Sequence, residues 1–179
     1  MSGRILVAGV GNVFRGDDGF GVQVARALAK ETLPAGIRVE DFGIRGVHLA
    51  LELLEDYAAV VLVDAVQGGE APGTLTVRER DRMEAGAAGD GAGSLADAHD
   101  LDPESMLRLV TRLGGGRLRV FVVGCEPACL DDQLGLSKPV AAAVAPAAIA
   151  VRDLALRLAQ GEPIPGSPLG GADSQPEHP

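Results

Sequence analysis

A short apolar run that breaks at once into a glycine-punctuated, doubly acidic turn constrains this chain more than any other feature. Ile5-Leu6-Val7-Ala8-Gly9-Val10 is followed by Gly11-Asn12-Val13-Phe14-Arg15-Gly16-Asp17-Asp18-Gly19-Phe20-Gly21. Six apolar or small residues bounded by Gly are too few for a helix and read as a buried strand of a parallel sheet. In a doubly wound α/β fold the loop after such a strand opens on the face where ligands bind. Asp17 and Asp18 are therefore expected at that face. A dinucleotide fingerprint would need a third glycine where Phe14 stands, and two carboxylates in the loop would repel phosphate. No Gly-Lys-Ser/Thr follows. A nucleotide-binding α/β domain is the weaker alternative, open to dinucleotide titration.

The rest of the chain alternates strand and helix signals. Val22, Ala25, Leu28 and Ala29 share one helical face, which predicts a helix over 19–31. Arg38–Phe42 reads as a strand and Val47–Asp56 as a leucine-rich helix. Ala58–Val66 is the strongest buried strand, interrupted by Asp64 near its end. Pro72-Gly73 predicts a turn into a strand over 73–77. The Gly- and Ala-rich segment 84–98 reads as a mobile surface loop. Asp102-Pro103-Glu104 supplies an N-cap, a first-turn proline and an acidic first turn for a helix ending at Gly114–Gly116. Arg117–Gly124 is a further strand. Leu136–Gln160 reads as helical, with Pro146 predicting a kink or a new start. Alternation of this kind argues one α/β domain over residues 1–160, with helices on both faces of the sheet. Residues 161–179, rich in Pro and Gly, are expected to form a disordered, dispensable tail.

Composition narrows the function classes. A chain of 179 residues can bury a core, and with 3% aromatics that core must come from Val, Leu, Ile and Ala. A net charge of −9 argues against nucleic-acid or anionic-membrane partners. The sequence opens without a basic, apolar leader, and no apolar stretch reads as long enough to cross a bilayer, so the cytoplasm is the expected address. Cys125 and Cys129 lack two further zinc ligands nearby and are expected to be free thiols.

Three polar positions suit chemistry: the Asp17/Asp18 turn, Asp64, and His99 just before the Asp102 cap. If the first and third strands run parallel, the two acidic sites emerge at one sheet edge, and the loop before His99 can reach it. Two carboxylates and an imidazole suit a divalent metal such as Zn²⁺, Mn²⁺ or Ni²⁺. Each has a plainer reading. Gly-Asp-Asp-Gly is good turn chemistry, Asp64 could cap a strand end, and His99 could lie on the surface. Asp64 is the hardest to dismiss, because a carboxylate on an apolar strand is costly unless solvated, paired or metal-bound. Glu126 could reach the same edge or stabilise a turn. His48 reads as a helix-surface residue.

With these pieces in place the chain resembles the hydrogenase maturation proteases, the endopeptidases that process the large subunit of [NiFe] hydrogenases. The resemblance runs from Ile5 to roughly Leu158 and rests on ordered motifs. These are Gly9-Val10-Gly11-Asn12, Gly16-Asp17-Asp18-Gly19-Phe20-Gly21, Val63-Asp64-Ala65, Pro72-Gly73-Thr74, Asp97-Ala98-His99, and Gly124-Cys125-Glu126-Pro127 with Gly135-Leu136-Ser137. It implies a three-layer α/β fold of phosphorylase/hydrolase-like type, a twisted, mostly parallel sheet of about five strands with one antiparallel strand permitted. It also implies Asp18, Asp64 and His99 as both catalytic and metal-contacting residues. The metal it implies is nickel, carried by a hydrogenase large-subunit precursor whose C-terminal extension is removed. The family often has Glu where Asp18 stands, and Gly-Thr-x-Gly where this chain has Gly43-Ile44-Arg45-Gly46, so Arg45 could replace a hydroxyl contact to substrate. Asp18 rather than Asp17 takes the ligand role, so Asp17→Asn is expected to retain processing. Hydrolysis could run through metal polarisation or through a carboxylate base. The alternative from another class is a non-catalytic metal-binding maturation chaperone, which would inspect the precursor without shortening it.

Overall fold

The computed structural model describes residues 3–80 and 118–164. Five strands form one sheet: β1 (Ile5–Val10), β2 (Ile37–Gly43), β3 (Ala59–Ala65), β4 (Leu75–Arg80) and β5 (Arg119–Cys125). Their order is β2-β1-β3-β5-β4. β1 runs parallel to β2 and β3, and β3 parallel to β5, while β4 is antiparallel to β5. From β1 the chain moves outward to β2, then returns across β1 to β3. That reversal makes the crevice at the C-terminal ends of β1 and β3 a topological switch point, where open α/β sheets bind ligands.

Strand alternation supplies two cores. Ile5, Val7, Val61, Val63, Phe121 and Val123 face α1 (Phe20–Leu28) and the long helix Lys138–Gln160, called α3 below. Leu6, Ala8, Phe42, Val60 and Leu62 face the opposite side, covered by Leu49 and Ala50 of α2 (Gly46–Glu52) together with Leu53 and Tyr57. The layers are thus helix, sheet, helix, as expected.

Several boundaries differ from the sequence reading, for local reasons. The helix expected over 19–31 is α1, shorter at both ends and entered through a 3-10 turn at Gly16–Gly19. α2 ends at Glu52 rather than Asp56: of the leucines expected to hold it, only Leu49 and Leu53 are buried, and Leu51 and Leu54 are exposed. β4 starts at Leu75, later than expected, since Gly73 adopts φ 87° in the turn and Thr74 N–H closes that turn on the Ala71 carbonyl. Pro146 neither ends nor restarts α3, which runs through it as one element. Its ring and the Ala142 residue whose carbonyl it leaves unpaired both lie on the exposed side, where water can serve that carbonyl.

α3 also corrects the expectation that no apolar stretch could cross a bilayer. By length and composition it could, with 23 residues and an 18-residue stretch of mean hydropathy 1.5. Its apolar stripe is instead committed to the core, where Val140, Ala147, Val151 and Ala155 are buried against α1 and the sheet. The expected helix after Asp102, the loop over 84–98 and all of the expected tail beyond Ile164 lie outside the described residues.

Candidate active site

The site is assembled by close backbone packing at the switch point. A Cβ on Gly21 would lie 1.9 Å from the Val63 carbonyl oxygen and 2.5 Å from that of Val10. The first turn of α1 therefore rests directly on the ends of β3 and β1, and only glycine permits it. Gly11, at φ 119°, is pressed the same way: a Cβ there would meet the Asp18 carbonyl oxygen at 1.8 Å and Asp64 Oδ1 at 3.7 Å. The acidic turn is thereby folded back over the end of β1 toward β3. Asn12 N–H donates to Asp18 Oδ2 at 2.8 Å, and Asn12 Oδ1 accepts from Phe14 N–H at 3.0 Å.

Asp64, penultimate in β3, accepts the Ala65 N–H at 2.8 Å. Burial, followed by the charge on Asp18, pushes its carboxyl up to about 7, and the Ala65 bond only partly offsets this. The structure thus brings Asp18 and Asp64 together, as the parallel arrangement of β1 and β3 requires. His99 lies outside the described residues. Among the described residues no three His, Cys, Asp or Glu side chains converge as a metal-holding group. The acidic pair is the part of the expected triad on view.

The other candidates resolve into supporting roles. The Glu126 carboxylate accepts Gly68 N–H at 2.7 Å and Gly69 N–H at 3.3 Å, so it stabilises the turn after β3. The Gly68 bond leads the effects that hold its carboxyl below the ordinary range. Arg45 turns back on its own strand, donating through Nε to the Phe42 carbonyl and through Nη2 to the Asp41 carbonyl. His48 is exposed on α2, as expected. Cys125 and Cys129 are free thiols. Burial, then Asp17 and Glu126, push the Cys125 thiol up to about 11, which leaves it protonated and a poor nucleophile at neutral pH.

Asp17 is the residue that the sequence undervalued. It is 0% exposed, yet charged. Its Oδ1 accepts Ser137 N–H at 2.6 Å, and its Oδ2 accepts Ala128 N–H at 2.8 Å and Cys129 N–H at 3.0 Å. Burial alone would raise its carboxyl, but these three donors prevail and hold it below the ordinary range. No local pattern signals this role, because the donors stand 111 to 120 residues further along the chain.

Comparison with known proteins agrees with this fold. Residues 22–153 match the family described as hydrogenase maturation protease. The hydrogenase expression/formation protein HupD of Rhodobacter capsulatus is 35% identical over 154 residues, covering 84% of this chain and 71% of its own. The crystal structure of a hydrogenase 2 maturation peptidase from a Thaumarchaeota archaeon superposes with a TM-score of 0.62 at 31% identity, over 84% of this chain and 97% of that one. The hydrogenase maturating endopeptidase HybD of E. coli gives 0.67 at 25% identity, over 88% and 94%. The chain belongs to the hydrogenase maturation protease family, and its fold and relatives make it a peptide-bond hydrolase of that family.

Proposed function

We propose that this protein removes the C-terminal extension of a nickel-loaded [NiFe] hydrogenase large-subunit precursor, and that the precursor's nickel is the feature it recognises. The observation that carries this reading is the state of the acidic pair. Asp18 and Asp64 stand close enough at the switch point that the charge of one raises the proton affinity of the other. A divalent cation brought between them relieves that repulsion, and two hard carboxylate donors with an imidazole accept nickel. His99, carried over from the family motif Asp97-Ala98-His99, supplies the imidazole in this reading. The three side chains contact the precursor's metal and so place the adjacent peptide bond for attack by water. Both routes to hydrolysis, polarisation by the metal and proton removal by a carboxylate, run through these same side chains.

Nickel-loaded and metal-free precursors of one sequence, incubated with the purified protein and weighed by mass spectrometry, test the proposal. The loaded precursor is shortened and the metal-free one is left intact. Asp18→Asn, Asp64→Asn and His99→Ala each abolish shortening. Equal cleavage of the two precursors would show that the enzyme reads peptide sequence alone.

A further inference from the structure

We propose that Asp17 is the positioning residue of this site, the pin that holds the segment 128–137 against the acidic turn and so fixes Asp18 over Asp64. The inference rests on the catalytic reading of Asp18 and Asp64 given above. It starts from an otherwise uneconomical feature, a carboxylate withdrawn completely from water. Burying a charge is costly unless every lone pair is answered. Here both oxygens are answered, by backbone N–H groups from three residues of one distant segment.

The main chain repeats the attachment. Gly16 N–H donates to the Gln133 carbonyl at 2.9 Å, and Asp17 N–H to the Cys129 carbonyl at 3.0 Å. Arg15 and Gln133 form a parallel bridge. Ser137 is moreover the N-cap of α3, and its own side chain makes no capping bond. Asp17 therefore also places an anion at the start of a 23-residue helix packed into the core, the end that favours negative charge. The turn between Gly16 and Gly19 is thus bound from outside by the segment 128–137, which ends on the N-cap of a helix packed into the core. Asp18 is the next residue of that turn, directed the other way, toward Asn12 and Asp64. Sequence neighbours thus divide the work: one carboxylate anchors and the other faces the chemistry.

This predicts a cost for Asp17→Asn, in place of the retained processing that the motif alone implies. An amide offers one acceptor oxygen and an NH2 group that only donates. Whichever way it is flipped, at least one backbone N–H of Ala128, Cys129 or Ser137 faces another donor. A shift of the reacting groups by about 1 Å can cost up to about a hundredfold in rate.

The test measures kcat and KM for shortening of nickel-loaded precursor by the full chain, with hydrogen exchange at the Ala128, Cys129 and Ser137 amides. Asp17→Asn is expected to lower kcat about ten- to hundredfold with KM within about twofold, and to speed exchange at those amides. Asp17→Ser removes the charge but keeps an oxygen that can accept and presents no fixed donor to the three amides. It is expected to lower kcat by less, in the same manner, and it decides the matter if Asp17→Asn fails to fold. Leu154→Ala, a core truncation on the same helix, controls for general loosening and is expected to keep the wild-type kcat per folded molecule. Wild-type kcat in Asp17→Asn or, where that does not fold, in Asp17→Ser would overturn the inference, as would a loss no greater than that of Leu154→Ala. If Asp18→Asn and Asp64→Asn also cleave normally, the catalytic reading itself has failed. If they are dead while Asp17→Asn is active, only the positioning role has.

Discussion

Asp64 holds its raised proton affinity at the expense of stability. Its carboxyl titrates at about 7 in the fold against an ordinary value of 3.8, so the folded state holds the proton more tightly than the unfolded chain. Its contribution is therefore most favourable below about pH 4, declines as pH rises toward about 7, and stays low above that. Asn cannot ionise, and its side-chain oxygen can still accept the Ala65 N–H. Asp64→Asn is thus expected to raise stability relative to wild type at pH 8, on the order of 2 kcal/mol once partial solvent access at the strand end is allowed for, and to change little at pH 4. Urea unfolding of both proteins at the two pH values measures it; an equal difference at both would refute the ionisation account. Asp64 was legible in the sequence because a carboxylate in an apolar strand demands an explanation. Asp18 was legible from the motif and from the parallel strands it implies. Asp17 was not, since nothing in Gly-Asp-Asp-Gly reveals which backbone groups will arrive from residues 128–137.

At the scale of elements, apolar runs, helical periodicity and turn residues located every described strand and α-helix, while the ends were decided by contacts invisible in a window of sequence. β3 was plain because it is buried on both faces, with Ala59 to Val63 all in the core. α2 was overextended because leucines that face solvent look the same in sequence as leucines that face the sheet. Pro146 misled for a different reason. Its penalty depends on whether the orphaned carbonyl is dry, and here it lies on the exposed side of α3. The penalty is reduced but persists, because the hydrogen bond is still missing and the surrounding Ala-rich turns favour a regular helix. Pro146→Ala is expected to restore that bond and stabilise the domain by about 1–3 kcal/mol, read as a higher urea midpoint with an unchanged m-value. A lower midpoint would mean that the proline is adapted to the helix in a way the exposed face does not show.

For the whole molecule, alternating strand and helix signals were enough to give a helix–sheet–helix sandwich, but not the strand order, which depends on which edges meet after the crossovers. The order matters most to function, because placing β1 between β2 and β3 creates the crevice that receives Asp18 and Asp64. The sheet that carries this crevice is also the partition between two separate cores. Leu53 belongs to the core on the α2 side and Leu154 to the core under α3. Truncating either to Ala removes buried methyl groups and leaves a cavity, at a cost of about 2–5 kcal/mol each. With the sheet between them and no shared partners, the two losses are expected to add to within about 0.5 kcal/mol in the double variant. Urea unfolding of the wild type, both single variants and the double variant checks this, provided each single variant stays folded in water. A non-additive term well above that bound would show that the sheet transmits strain from one face to the other, and the site at its edge would then sense packing on both sides.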